Sequence, residues 1–155
     1  MVKNIFRVIV ILLCFTTAQC GLISEIKFTA TIDGEQYQAI AGWWGNLVLD
    51  GLKSGLIVAI DEGQNTFTFN VFGEFEEKTY PLGVFGEGIA TYLNSQGVLF
   101  TDQGGSLTIT SKTNERLVGE FEISLVGLTE TGEVVTLEVT DGEFDLPFSP
   151  EASLI

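Results

Sequence analysis

From residue 26 onward the chain alternates apolar and polar side chains with a period of two, and no segment carries a helical period. In residues 26–32, Phe28, Ala30 and Ile32 point one way and Lys27, Thr29 and Thr31 the other. Successive side chains of a strand lie on opposite faces, so this pattern predicts a half-buried strand. Asp33-Gly34 follows, then a second run at 35–40. A central Asp-Gly pair favours a type I′ hairpin, because both positions take positive φ. Further strands are predicted at 46–50, 56–60, 66–72, 88–93, 98–101, 106–110, 117–125, 134–140 and 143–148. Turn signals separate them: Asp50-Gly51, Asp61-Glu62-Gly63, residues 94–97, Gly104-Gly105, Asn114, Thr131-Gly132 and Asp141-Gly142. Residues 73–88 hold Pro81 and several glycines and read as a long loop or an edge region.

Strand signals recurring about every 8–12 residues predict an all-β domain. The expected form is an antiparallel β-sandwich of about nine to eleven short strands, with a lipocalin-like closed barrel as the alternative. Parity assigns the core to Phe67, Phe69 and Val71, to Phe121, Ile123 and Leu125, to Val135, Leu137 and Val139, and to Phe144, Leu146 and Phe148. Glu120, Glu122, Thr136, Glu138, Glu143 and Asp145 fall on the outward face. Residues 56–60 are apolar on both faces, as in a central strand covered on each side. Gly-Glu-Phe occurs at Gly73, Gly119 and Gly142; its flanks differ, so it reads as a coincidence of composition and not as a repeat.

The start of the chain has a different character. Lys3 and Arg7 precede an apolar run over residues 8–15, then Thr16, Thr17, Ala18, Gln19 and Cys20. A basic start, a short apolar core and small residues near the exit make a secretory signal peptide, here residues 1–19. The run falls short of the roughly 20 apolar residues that a bilayer span needs. Thr17-Ala18-Gln19-Cys20 resembles a bacterial lipobox, with Gln19 standing where Gly, Ala or Ser is usual. Two fates follow: lipidation of Cys20 as the mature N-terminus, or cleavage that releases a soluble periplasmic or secreted protein. Cys14 lies in the leader, so Cys20 would be the lone thiol of an exported chain, and lipidation accounts for it. The expected organisation is a tether at 20–25, one domain at 26–148 and a tail at 149–155.

Charge and composition remove several functions. The formal net charge is -14. Beyond the leader the basic residues are Lys27, Lys53, Lys78, Lys112 and Arg116. Nucleic acid and anionic lipid both call for Lys/Arg clusters, so neither is an expected partner, and a covalent lipid is the expected link to a membrane. The chain has no histidine. That removes Ser-His-Asp and Cys-His catalysis and histidine metal ligation.

From Cys20 on, the chain resembles a family of small Bacteroidota cell-envelope lipoproteins of unknown function. The likeness rests on Phe28 through Ala39, matching the family's opening hairpin, and on Gly119-Glu120-Phe121 with the later strands through Gly142-Glu143-Phe144. It implies an all-β fold and an envelope location, with the outer membrane the expected site. It implies no activity and transfers no catalytic residues.

Three candidate sites emerge. Tyr37, Trp43 and Trp44 could bind a ligand, because an exposed aromatic stacks on a sugar ring and Gly42 and Gly45 allow close approach. Asp61, Glu62 and Asp141 are the calcium candidates, although neither acidic turn fits an EF-hand loop and no metal or cofactor is expected. A carboxylate pair could serve a glycosidase, but no Glu or Asp stands out by context, so an enzyme is not expected. The expected role is non-catalytic binding or scaffolding in the envelope, with a glycan or an envelope protein as partner. The alternative is carriage of a small apolar ligand inside a barrel.

Overall fold

The computed structural model describes residues 25–150. Among them are nine strands: β1 Lys27–Ile32, β2 Glu35–Leu49, β3 Leu52–Asp61, β4 Thr66–Phe72, β5 Thr79–Leu82, β6 Gly88–Leu93, β7 Leu99–Lys112, β8 Arg116–Leu128 and β9 Val134–Pro147. The all-β expectation is met. All nine belong to one sheet, in the order β1-β2-β3-β4-β6-β5-β7-β8-β9, and β9 pairs back onto β1 through Phe144 and Phe28. The two-sheet sandwich therefore gives way to a single sheet closed as a barrel. Closure pairs the first strand with the last, so neither is left as a free edge of the sheet. Among the described residues every strand ladder is antiparallel except the contact of Leu82 with Gly88, where β5 wedges between β6 and β7; isolated parallel bridges join Trp44 to Phe148 and Ser54 to Gly73.

The opening hairpin follows its sequence signal. Ile32 pairs with Glu35, and Asp33 and Gly34 take φ of +48° and +86°. Other glycine signals do not make turns. Gly104-Gly105 lies inside β7, and Asp141-Gly142 lies inside β9, each where the ladder to β8 shifts register. The Gly42 to Gly45 stretch is likewise continuous strand, so the runs at 35–40 and 46–50 fuse into β2. A bulge bends and coils a strand without ending it, and a small closed barrel needs that curvature. Residues 73–88 are mostly loop, as expected, but contain the short β5.

The barrel is filled. Phe28, Phe67, Phe69, Phe121 and Phe144 meet in its centre, with ring centroids 4.9–6.4 Å apart. Two of the three Gly-Glu-Phe segments take part in this packing as a pair. Gly119-Glu120-Phe121 and Gly142-Glu143-Phe144 lie antiparallel and in register: Gly119 opposite Phe144, Glu120 opposite Glu143, Phe121 opposite Gly142. Each phenylalanine ring lies over the glycine across from it. A Cβ on Gly119 would stand 2.5 Å from the Phe144 ring, and one on Gly142 2.6 Å from the Phe121 ring. The third copy places Phe75 over Gly55, where a Cβ would also come within 2.6 Å of the ring.

Strand direction defines two ends. The turns at 33–34, 62–65, 94–98 and 129–133 form the mouth; the turns at 50–51 and 113–115 and the 73–78 loop form the base. The chain enters β1 at the base. Trp44, Phe75, Tyr80 and Phe148 close that end, with Trp44 to Phe148 at 4.8 Å and Trp44 to Phe75 at 6.2 Å. Arg116 holds the entry segment there, donating to the Glu25 carbonyl at 2.8 Å and to Asp145 Oδ1 at 2.7 Å.

Parity predicted most of the core, with exceptions at the ends. Val135 and Leu137 are half-buried because they stand at the mouth, and Phe148 is half-buried at the base. On β3, Ile57 and Ala59 are fully buried, while Leu56, Val58 and Ile60 are half-buried on the outer wall. No second layer lies over β3 among the described residues, which corrects the expectation of cover on both faces.

Candidate functional site

The mouth holds a cleft of about 530 Å³. Its floor is aromatic: Tyr37 from β2, Tyr92 from β6 and Phe100 from β7, resting on Phe67. Ile32, Val98, Val135 and Leu137 give apolar wall, and Asp33, Glu35, Gln36, Asp61, Asn65, Asn94 and Gln96 give polar rim.

The rim is stitched by side chains. Asn65 donates its backbone N–H to Asp61 Oδ1 at 2.8 Å and its side-chain amide to Asp61 Oδ2 at 2.7 Å. Asn65 Oδ1 then accepts the Ser95 N–H at 2.7 Å, joining two turns. Asn94 Oδ1 accepts the N–H groups of Gln96 and Val98. Asp33 Oδ1 accepts the Glu138 N–H at 2.8 Å, tying the first hairpin to β9. Asx side chains that cap turns in this way hold loops in one geometry.

The two tyrosines differ. The Tyr37 hydroxyl lies 3.2 Å from the Ala59 carbonyl and 3.1 Å from the Asn65 carbonyl, so it is engaged by backbone. Tyr92 is 8% exposed, and no group among the described residues accepts from or donates to its hydroxyl. Burial, reinforced by the nearby Asp61 carboxylate, pushes the Tyr92 phenol up to about 12. Burial raises Tyr37 as well, with Asp61 and Tyr92 adding to the effect. Both phenols therefore keep their protons at neutral pH.

Charge is unevenly placed. No lining residue is Lys or Arg. Lys27 opens β1, Lys53 lies near the start of β3, Lys78 precedes β5, Lys112 ends β7 and Arg116 opens β8, all in the basal half. Four of them pair with acids there: Lys27 with Glu143, Lys53 with Glu74, Lys78 with Glu87, and Arg116 with Asp145. Lys112 donates to the Phe75 carbonyl at 2.7 Å and sits 5.8 Å from the Trp44 ring centroid.

The residues singled out in the sequence are scattered. Tyr37 is in the cleft, but Trp43 and Trp44 lie six and seven residues further along β2, about 20 Å away at 3.4 Å per residue. Trp44 is 2% exposed inside the base, and its Nε1 is buried with no partner. Trp43 is half-buried on the outer wall, opposite Val58. Asp61 lines the cleft with both oxygens used by Asn65, Glu62 is exposed beside it, and Asp141 sits in the β9 bulge at φ +52°. Among the described residues no three His, Cys, Asp or Glu side chains converge as metal ligands would. The leader and Cys20 lie outside the described residues. Sequence reasoning missed Tyr92 and Asn94, and saw Asn65 only as part of the acidic turn at 61–65. The signal for Tyr92 was a phenol at an inward parity position near a strand end, where the ring is buried and the hydroxyl reaches the rim.

A second hollow of about 380 Å³ lies on the outer wall over Glu120, Glu122, Asp141 and Glu143, above the paired Gly-Glu-Phe segments. The chain matches no known protein family, no curated protein and no solved structure.

Proposed function

We propose that this chain is an exported, non-catalytic binding protein of the cell envelope, anchored by lipid at Cys20, that takes a small ligand in the mouth cleft. One observation carries the binding reading: Tyr92, a side chain only 8% exposed whose hydroxyl opens into the cleft and is used by no described residue. A tyrosine with a buried ring and a free hydroxyl presents one polar tip to whatever enters the cleft, and in this reading the ligand bonds to it. The ring-filled interior favours a ligand held at the mouth over one enclosed in the barrel. Catalysis is disfavoured because Asp33 and Asp61 are committed to fixing turns. A glycosidase instead needs one carboxyl free to protonate the leaving group and a second facing the sugar. The leader and the likeness to envelope lipoproteins support the location.

Two experiments test the two halves. A small-molecule screen followed by tyrosine-ring NMR should yield hits that move Tyr92 and lose affinity in Tyr92→Phe, which removes only an unpaired hydroxyl. Hits that move residues of the base or the outer wall instead would refute the cleft. Mass spectrometry of the mature N-terminus should find a lipid-modified cysteine. An unmodified Gln19, Gly21 or later residue at that terminus refutes the anchor and leaves the cleft intact.

A further inference from the structure

We infer that the mouth cleft selects a positively charged small molecule, an organic ammonium carrying an apolar body. This rests on the reading of the cleft as a binding site and adds the ligand class. The cleft lining includes Asp33, Glu35 and Asp61 and contains no basic side chain. The hydrogen bonds that Asp33 and Asp61 accept come from neutral amides, which leave their negative charge uncompensated. Every described Lys and Arg stands in the basal half, held by acids or a carbonyl there. Every charged side chain an anion meets in the mouth has its own sign, and a concave site concentrates their field. A cation meets the opposite.

Acidic residues alone would not make a ligand site. The independent observation is Tyr92, whose unpaired hydroxyl opens on the same space from a side chain only 8% exposed. Its oxygen can accept an ammonium N–H, and the rings of Tyr37, Tyr92 and Phe100 add the attraction of aromatic quadrupoles for a cation. Ile32, Val98, Val135 and Leu137 line the same cleft and offer an apolar surface for the body of the molecule.

The test uses three probes of one shape and different charge on the full chain: phenethylammonium, 2-phenylethanol and phenylacetate. Binding is read by calorimetry and by tyrosine-ring NMR. Phenethylammonium should bind at least about tenfold more tightly than the alcohol, with phenylacetate weakest, and the gap should shrink between about 20 mM and about 500 mM salt. Glu35→Gln alters an exposed rim carboxylate for which no hydrogen bond is seen, and should weaken the cation several-fold while leaving the alcohol unchanged. If the alcohol binds as tightly as the cation and moves Tyr92, the charge inference falls and the cleft reading stands. If none of the three probes moves Tyr92, the cation inference falls, and the general screen decides the cleft reading by itself.

Discussion

Replacing Phe28 by alanine tests whether the barrel is packed or hollow. Phe28 is 0% exposed and lies within 6.4 Å, centroid to centroid, of Tyr37, Phe67, Phe69, Phe121 and Phe144. Burying a phenylalanine contributes about 1.5–3 kcal/mol of transfer free energy. The ring leaves about 100 Å³, which at about 24 cal/mol per Å³ of residual cavity costs about 2 kcal/mol more. The expected loss is therefore about 4–5 kcal/mol, a large part of the roughly 5–15 kcal/mol of a whole domain. At this size it corresponds to about 15–20 °C in Tm. Urea unfolding followed by tryptophan fluorescence measures it, since Trp44 reports from the base of the same core. The slope m should stay constant, which assigns the change to the folded state. Phe28→Leu, which keeps most of the volume, should lose about 1–2 kcal/mol. A loss below about 1 kcal/mol for Phe28→Ala, at constant m, would refute the ring-filled interior and revive an enclosed carrier cavity.

Three further outcomes follow from the same structure. Raising pH should destabilise the fold through Tyr92: its contribution is fully present below pH 10.0, the ordinary value, and is lost as pH climbs toward about 12. Tm measured across that window should fall, and should fall less steeply in Tyr92→Phe. Gly142→Ala forces a Cβ to 2.5 Å from the Phe121 carbonyl and should cost about 2–3 kcal/mol in denaturant melts. Gly132→Ala, at φ +82° with open space around it, should cost only about 1–2 kcal/mol of backbone strain. In acrylamide quenching, Trp43→Phe should leave a poorly quenched Trp44, and Trp44→Phe should leave a readily quenched Trp43; equal quenching of both variants would contradict the placement of the two indoles.

Alternation and hairpin chemistry are local, and both were legible: the Asp33-Gly34 turn and the inward set on β4, β8 and most of β9 stand as expected. Closure was not. Whether Gly104-Gly105 or Asp141-Gly142 ends a strand or bends one depends on the partner across the ladder, and residue type does not encode it. Reading each as a turn cut β7 and β9 in two and raised the strand count, and a count of short strands fits a sandwich and a barrel alike. The same limit hid the site. Tyr37 and Trp43 looked adjacent because a straight strand separates residues in space faster than chain distance suggests. Tyr92, Asn65 and Asn94 come from separate segments that only the barrel brings to one rim.

The paired Gly-Glu-Phe segments carry a consequence for folding. A tripeptide that complements an antiparallel copy of itself has a local two-fold axis, so it specifies a register without specifying which strand supplies the partner. In the closed barrel β8 and β9 satisfy each other. In a half-formed chain the same three residues of two molecules offer each other an identical fit, with a ring over each glycine. The pairing that locks β8 to β9 is thus one whose register, but not whose partner, is written in the tripeptide itself.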